Sequence, residues 1–144
     1  MKVLVQRAVD ASVVVDGETI GQIDYGQMVL VGIEKGDTEE DTQRLADKLL
    51  KYRMFSDQDG KMNLNVQQVG GGVLLVSQFT LAAETKKGLR PGFSTAAVPT
   101  EGERLFNDFV NKVRAQYDNV ETGRFGADMK VSLTNDGPVT FMLD

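Results

Sequence analysis

Hydrophobic and polar positions alternate along much of the first 35 residues. Val3 and Val5 alternate with Lys2 and Leu4, and Val13 and Val15 lead into Asp16-Gly17. A period of two marks strands, and Asp-Gly between two such runs is a hairpin signal. Thr19–Ile23 supplies the next strand. Met28–Ile33 is continuously apolar, the pattern of a strand covered on both faces. The period then lengthens. Leu45, Ala46, Leu49 and Leu50 fall on one face of a helix. Asp37 or Thr38 is its cap, and Thr38 with Asp41 has the spacing of a capping box. After Tyr52–Phe55 a turn is expected over Asp57–Gly60, and a flexible one over Gly70–Gly72. Val73–Val76 reads as a buried strand that runs into Ser77-Gln78-Phe79-Thr80-Leu81. Residues 82–98 show no period. Thr100 and Glu103 suit a second capping box after Pro99, and Leu105, Phe106, Phe109, Val110 and Val113 mark a second helix. Two short runs close the chain, Lys130–Leu133 and Val139–Leu143. Asn135-Asp136-Gly137-Pro138 between them has the chemistry of a hairpin turn.

The order is strands, helix, strands, helix, strands, with hairpin signals and no regular βαβ alternation. This predicts one α+β domain over residues 1–144: a mostly antiparallel sheet, curled towards a barrel, with two helices packed on it. A chain of 144 residues with 41% hydrophobic and 26% charged residues can bury a proper core. No run reaches the roughly 18 apolar residues of a membrane span. With no export signal at Met1–Arg7 and no cysteine, a soluble cytoplasmic protein is expected.

Charge and composition narrow the chemistry. A net charge of −5 argues against a non-specific nucleic-acid binder, so any RNA contact needs a local basic patch. There is no Cys and no His. Ser-His and Cys-His dyads, His general bases and the usual zinc sites are therefore excluded. Asp57 and Asp59 precede Gly60 as in a calcium loop, but the closing Glu is missing. Gly70–Gly72 lacks the Gly-Lys-Ser/Thr of a phosphate loop. No metal or cofactor is expected.

Three stretches remain as candidates. Ser77, Gln78, Phe79 and Thr80 end an apolar strand with three polar side chains in four residues. This is either a strand reaching solvent or a strand-end site whose N–H and amide groups face an oxyanion. Thr80 as a nucleophile would need Glu84, Asp136 or a lysine as its base. Lys86, Lys87 and Arg90 beside Phe93 suit a phosphate backbone and a stacked base, or are surface charges on a solvated loop. Gly137-Pro138 is an X-Pro bond, the one common place for a cis peptide, found in about 5–6% of such bonds. A cis bond there would present two carbonyls on one side with no side chain over them.

Ser77-Gln78-Phe79-Thr80-Leu81 and Asn135-Asp136-Gly137-Pro138-Val139-Thr140-Phe141 resemble the two signature motifs of the bacterial D-aminoacyl-tRNA deacylases. Val5-Gln6-Arg7, Ala11-Ser12-Val13, Tyr52–Asp57 with Lys61–Leu64, Arg90–Phe93 and Thr122–Met129 fit the same family. The likeness runs from one end of the chain to the other. Met142 stands where many relatives have Trp, and Gly92 where Ser is common; neither touches the signature residues.

The resemblance implies hydrolysis of the ester joining a D-amino acid, or glycine, to the terminal adenosine of tRNA. It implies a homodimer with the site at the subunit interface. Gly137 and Pro138 would be a chiral gate, held cis, that reaches into the partner's pocket and rejects L-aminoacyl groups. Main-chain donors around Gln78–Thr80 would hold the oxyanion, and the tRNA's ribose hydroxyl would help water attack. Lys86, Lys87 and Arg90 would meet acceptor-stem phosphates, and Phe79 would line the adenosine pocket. Two other readings stay open: a non-catalytic homodimeric tRNA-binding module, and a Thr80-nucleophile hydrolase of another small ester or amide.

Overall fold

A computed structural model describes residues 1–144. Eight strands, β1 (Lys2–Val15), β2 (Glu18–Ile23), β3 (Gly26–Gly32), β4 (Phe55–Ser56), β5 (Met62–Leu64), β6 (Gly72–Ser77), β7 (Val120–Thr122) and β8 (Lys130–Leu143), carry three helices. These are α1 (Glu39–Lys51), the single turn α2 (Val66–Val69) and α3 (Pro99–Arg114). The architecture is α+β: a barrel-like sheet ordered β2-β1-β3-β6-β7, with β8 on the other side of β1 and the two long helices against one face. β1 pairs antiparallel with β2, β3 and β8, whereas β3-β6 and β6-β7 are parallel. The sheet is therefore mixed at its β6-β7 end. The helix-bearing connections α1-α2 and α3 supply the crossovers that parallel neighbours require.

β1 is the spine. Its first half, Lys2–Ala8, pairs with β3, and its second half, Ala11–Val15, pairs with β2, while β8 runs along its other edge. Asp16 (φ 50°) and Gly17 (φ 78°) make the tight turn into β2. Val3, Val5, Val29, Val31, Val73 and Leu75 form the sheet side of the larger core, and Leu45, Leu49, Leu50, Leu105 and Phe109 form its helix side. Each of those helix residues is at most 1% exposed, worth about 1.5–3 kcal/mol apiece in burial. A second, smaller core of Ala8, Ala11, Val13, Ile23, Met28, Leu74 and Val76 fills the other face of the sheet.

The α1 capping box forms as expected, with Thr38 the cap and the Asp41 carboxylate accepting the Thr38 N–H at 2.9 Å. The second expected box does not. Pro99 is already the first residue of α3 and Val98 its cap, so Thr100 lies inside the first turn and makes no side-chain cap. Pro needs no N–H partner at that position and sets the helical φ itself. Gly70–Gly72 is not a flexible turn. Gly70 (φ 65°) terminates α2, and a Cβ on Gly26 would sit 2.0 Å from the Gly72 carbonyl oxygen. The glycines permit that close approach of two backbones.

Candidate active site

The two signature stretches lie on different strands and do not meet within one chain. β6 ends at Ser77, whose level in the sheet is set by Val31 of β3 and, beyond it, Val3 of β1. The chain then leaves the sheet. The Gln78 N–H donates to the Val31 carbonyl at 2.8 Å, and Phe79–Ala82 coils into a 3-10 turn. The first hydrogen bond of that turn is made by the Leu81 N–H to the Gln78 carbonyl. The N–H groups of Phe79 and Thr80 thus stand ahead of it with no partner inside the turn. The Gln78 amide nitrogen donates to the Thr80 hydroxyl. Phe79 is exposed and its ring lies 5.2 Å from that of Phe93, also exposed.

Ser77, Gln78 and Phe79 form one wall of a cavity of about 630 Å³. Its other walls come from Phe93, Ala96 and Ala97, from Val98, Pro99 and Gly102 at the start of α3, and from Phe125, Gly126, Ala127 and Met129. The lining is mainly apolar, with polar groups gathered at the strand end and Lys35 at the rim. Such a lining suits an aromatic or apolar ligand fixed by a few directed hydrogen bonds. The loop over residues 83–98 is tied down by paired hydrogen bonds between Glu84 and Gly92 and by the Glu34–Ala96 bridge. Lys86, Lys87 and Arg90 sit at its exposed tip, form no ion pair, and do not line the cavity. No carboxylate or amine bonds the Thr80 hydroxyl. Glu84 accepts the Lys86 N–H at 2.6 Å, and Asp136 faces Arg7.

The second stretch corrects the hairpin expectation. Asn135–Phe141 does not reverse the chain; β8 continues through it, and both of its arms pair with β1. Thr140 faces Gln6 and Asn135 faces Ala8, so two steps along β1 are matched by five along β8. Asp136–Val139, four residues opposite Arg7 alone, are left out of the ladder as an enlarged bulge. The Gly137-Pro138 peptide within it is cis, Gly137 has φ 143°, and both residues are exposed.

Two side chains hold the bulge. The Asn135 Oδ1 accepts the Val139 N–H at 2.7 Å, and its Nδ2 donates to the Thr140 hydroxyl at 3.0 Å. Arg7, 9% exposed, lies beneath. Its Nε donates to the Asp136 carbonyl at 2.9 Å, and its Nη1 to the Met54 carbonyl at 3.0 Å and the Ser56 hydroxyl at 3.4 Å. Its Nε also lies 3.4 Å from the Asp136 carboxylate. The sequence alone assigns neither residue a role. A signal was there: Val3, Val5 and Arg7 share one phase of a period-two strand, so a cation occupies an inward position.

Gly137 and Pro138 do not line the cavity that Ser77–Phe79 line, and β1 and β3 stand between the strands that carry them. The acidic spacing at Asp57 and Asp59 has a local explanation. The Asp57 carboxylate accepts the N–H groups of Lys61 and Asp59, which hold it below the usual carboxylate range.

Comparisons with known proteins agree along the whole chain. Residues 4–144 match the family model for D-Tyr-tRNA(Tyr) deacylase. The chain is 88% identical over 144 residues to the D-aminoacyl-tRNA deacylase of Marinomonas sp. (strain MWYL1), covering 100% of both. It is 64% identical to that of Saccharophagus degradans (strain 2-40 / ATCC 43961 / DSM 17024), covering 99% of each. The solved structure of the c-Myc DNA Unwinding Element Binding Protein is 39% identical, with a TM-score of 0.96 over 100% of this chain and 98% of that one.

Proposed function

This chain belongs to the D-Tyr-tRNA(Tyr) deacylase family and is a hydrolase acting on D-aminoacyl-tRNA, and from that premise we propose how its residues divide the work. The observation that carries the reading is the placing of Ser77–Phe79 at the wall of a largely apolar cavity, with unengaged main-chain donors at the start of the Phe79–Ala82 turn that follows. The terminal adenosine enters the cavity against the Phe79–Phe93 pair, and the aminoacyl carbonyl lies at the strand end. Water adds to the carbonyl carbon, and the negative charge that develops on its oxygen is met by the N–H groups of Phe79 and Thr80. The bond from that carbon to the ribose oxygen then breaks, and the ribose oxygen takes a proton. The products are the free D-amino acid, or glycine, and tRNA. The neighbouring ribose hydroxyl relays the proton, which a protein without His leaves to its substrate. An aminoacyl ester is activated enough for this modest help.

Gly137 and Pro138 act as the chiral gate, and they do so in a second copy of the chain. Their exposure on a bulge remote from their own cavity supports a homodimer in which each subunit completes the other's site. Backbone carbonyls at the gate exclude a side chain of the L hand and leave space for hydrogen, so selectivity rests on rejection. Lys86, Lys87 and Arg90 meet acceptor-stem phosphates, which their exposure and lack of ion-pair partners permit. No helix is long and apolar enough to cross a membrane; the cytoplasm, where charged tRNA is found, is the proposed place of action.

The test is release of D-tyrosine from charged tRNA by the purified protein, with L-tyrosyl-tRNA as the comparison. Decay of both at the buffer rate, with protein in excess and tRNA still bound, would favour the non-catalytic binding module. Thr80→Ala is expected to keep kcat within about tenfold of wild type, because it removes a hydroxyl that no base contacts. Complete loss of turnover, with a covalent intermediate trapped in the wild type, would instead identify Thr80 as the nucleophile.

A further inference from the structure

One charged side chain lines the cavity behind Ser77–Phe79, and it is Lys35. Its surroundings leave that charge unneutralised. Glu34 and Asp37, the acids beside it in sequence, are both committed elsewhere. The Met1 amino group donates to the Glu34 carboxylate at 2.7 Å and to the Asp37 carboxylate at 2.8 Å, and the second Asp37 oxygen accepts the Glu34 N–H. Lys35 itself forms no ion pair and is exposed. Its backbone is nevertheless fixed, because its N–H donates to the Thr95 carbonyl at 3.0 Å and Glu34 bridges to Ala96. Those bonds tie Lys35 to the segment that supplies Phe93 and Ala96 to the cavity wall. A chain of net charge −5 repels a polyanion overall, so an isolated cation at the mouth of an uncharged pocket concentrates attraction there.

An apolar-walled pocket with one cation at its rim fits a nucleoside carrying a phosphate. We infer that Lys35 binds the phosphodiester on the 5′ side of the terminal nucleoside. The base and ribose occupy the apolar cavity, and the first phosphate leaves it at Lys35. The inference rests on the deacylase reading above and adds to it the register in which the RNA strand exits.

The experiment compares two substrates: D-tyrosyl-tRNA and the D-tyrosyl ester of adenosine, which has no phosphate. Lys35→Gln is expected to raise KM for the tRNA roughly three- to tenfold, as for the loss of one charge-assisted contact, with kcat within about twofold. The slope of log KM against log salt should fall by about 0.7, the value for one phosphate on a single strand. Hydrolysis of the adenosine ester should not change. Lys35→Arg should restore the tRNA KM, and Lys61→Gln, an exposed cation in the Asp57–Lys61 turn, should leave both substrates unaffected. Equal loss on both esters, or wild-type KM and salt slope in Lys35→Gln, overturns the assignment while the wild type remains active. A wild type inert on both esters overturns the deacylase reading instead.

Discussion

Gly137→Ala is expected to lower kcat/KM for D-aminoacyl-tRNA by about a hundredfold or more, the scale of a 1 Å misplacement at a reacting centre. Two observations require it. Gly137 has φ 143°, a region that side-chain-bearing residues rarely enter. A Cβ built there lies 2.6 Å from the Val139 side chain and 2.9 Å from its backbone nitrogen. Val139 cannot give way cheaply: it is 6% exposed in the main core, and its N–H is held by Asn135. The bulge must therefore move, and with it the carbonyls of the proposed gate. The stability cost stays near 1–3 kcal/mol, because only one residue is forced into a sparse conformation. Thermal melting separates the two effects, and single-turnover release of D- and L-tyrosine measures the first. Near-wild-type rates with unchanged D/L selectivity would remove Gly137 from the site.

Arg7→Ala is expected to remove activity by a different route and to destabilise the protein measurably. The guanidinium spans the Asp136 carbonyl on β8 and the Met54 carbonyl that follows α1. Its loss leaves both carbonyls short of a donor beneath the bulge, at a cost of about 2–4 kcal/mol, or roughly 5–15 °C in Tm. Arg7→Lys should recover little of this. A single ammonium offers one point of donation where the fork offers separate nitrogens in fixed directions. The expected signature is a folded protein at low temperature, with circular dichroism near wild type and both D-tyrosine release and D/L selectivity lost. Full selectivity in Arg7→Ala would show that the bulge keeps its shape without the arginine.

These two residues also mark how far the sequence could be read. Arg7 belongs to a stretch that fits the family, and its inward phase was visible, yet its partners come from residues about 50 and 130 positions further along the chain. Nothing local names them. The Thr38 cap was legible because its bonds reach only Asp41 and Glu40. The Thr100 cap was misread because Pro99 next to it starts the helix first. Asn-Asp-Gly-Pro was misread as a hairpin for a related reason. Turn chemistry describes how a backbone bends over four residues, and a bulge and a hairpin bend alike there. The choice between them depends on whether the two arms pair with each other or with a third strand.

By itself, then, the sequence determined the α+β class, both long helices, the Asp16-Gly17 turn, the absence of His and Cys chemistry, and the motif residues. These depend on residue type, period and short spacing, all of which are local. Only the tertiary structure decided that β1 holds both arms of β8, so that Asp136–Val139 leave the ladder as a bulge clamped by Arg7 and Asn135. It also decided that Ser77–Phe79 share a cavity with Phe93, Phe125 and Lys35, residues brought from four separate parts of the chain. Strand pairing and cavity walls are long-range choices, fixed by which partners bury the most surface and satisfy the most backbone groups together.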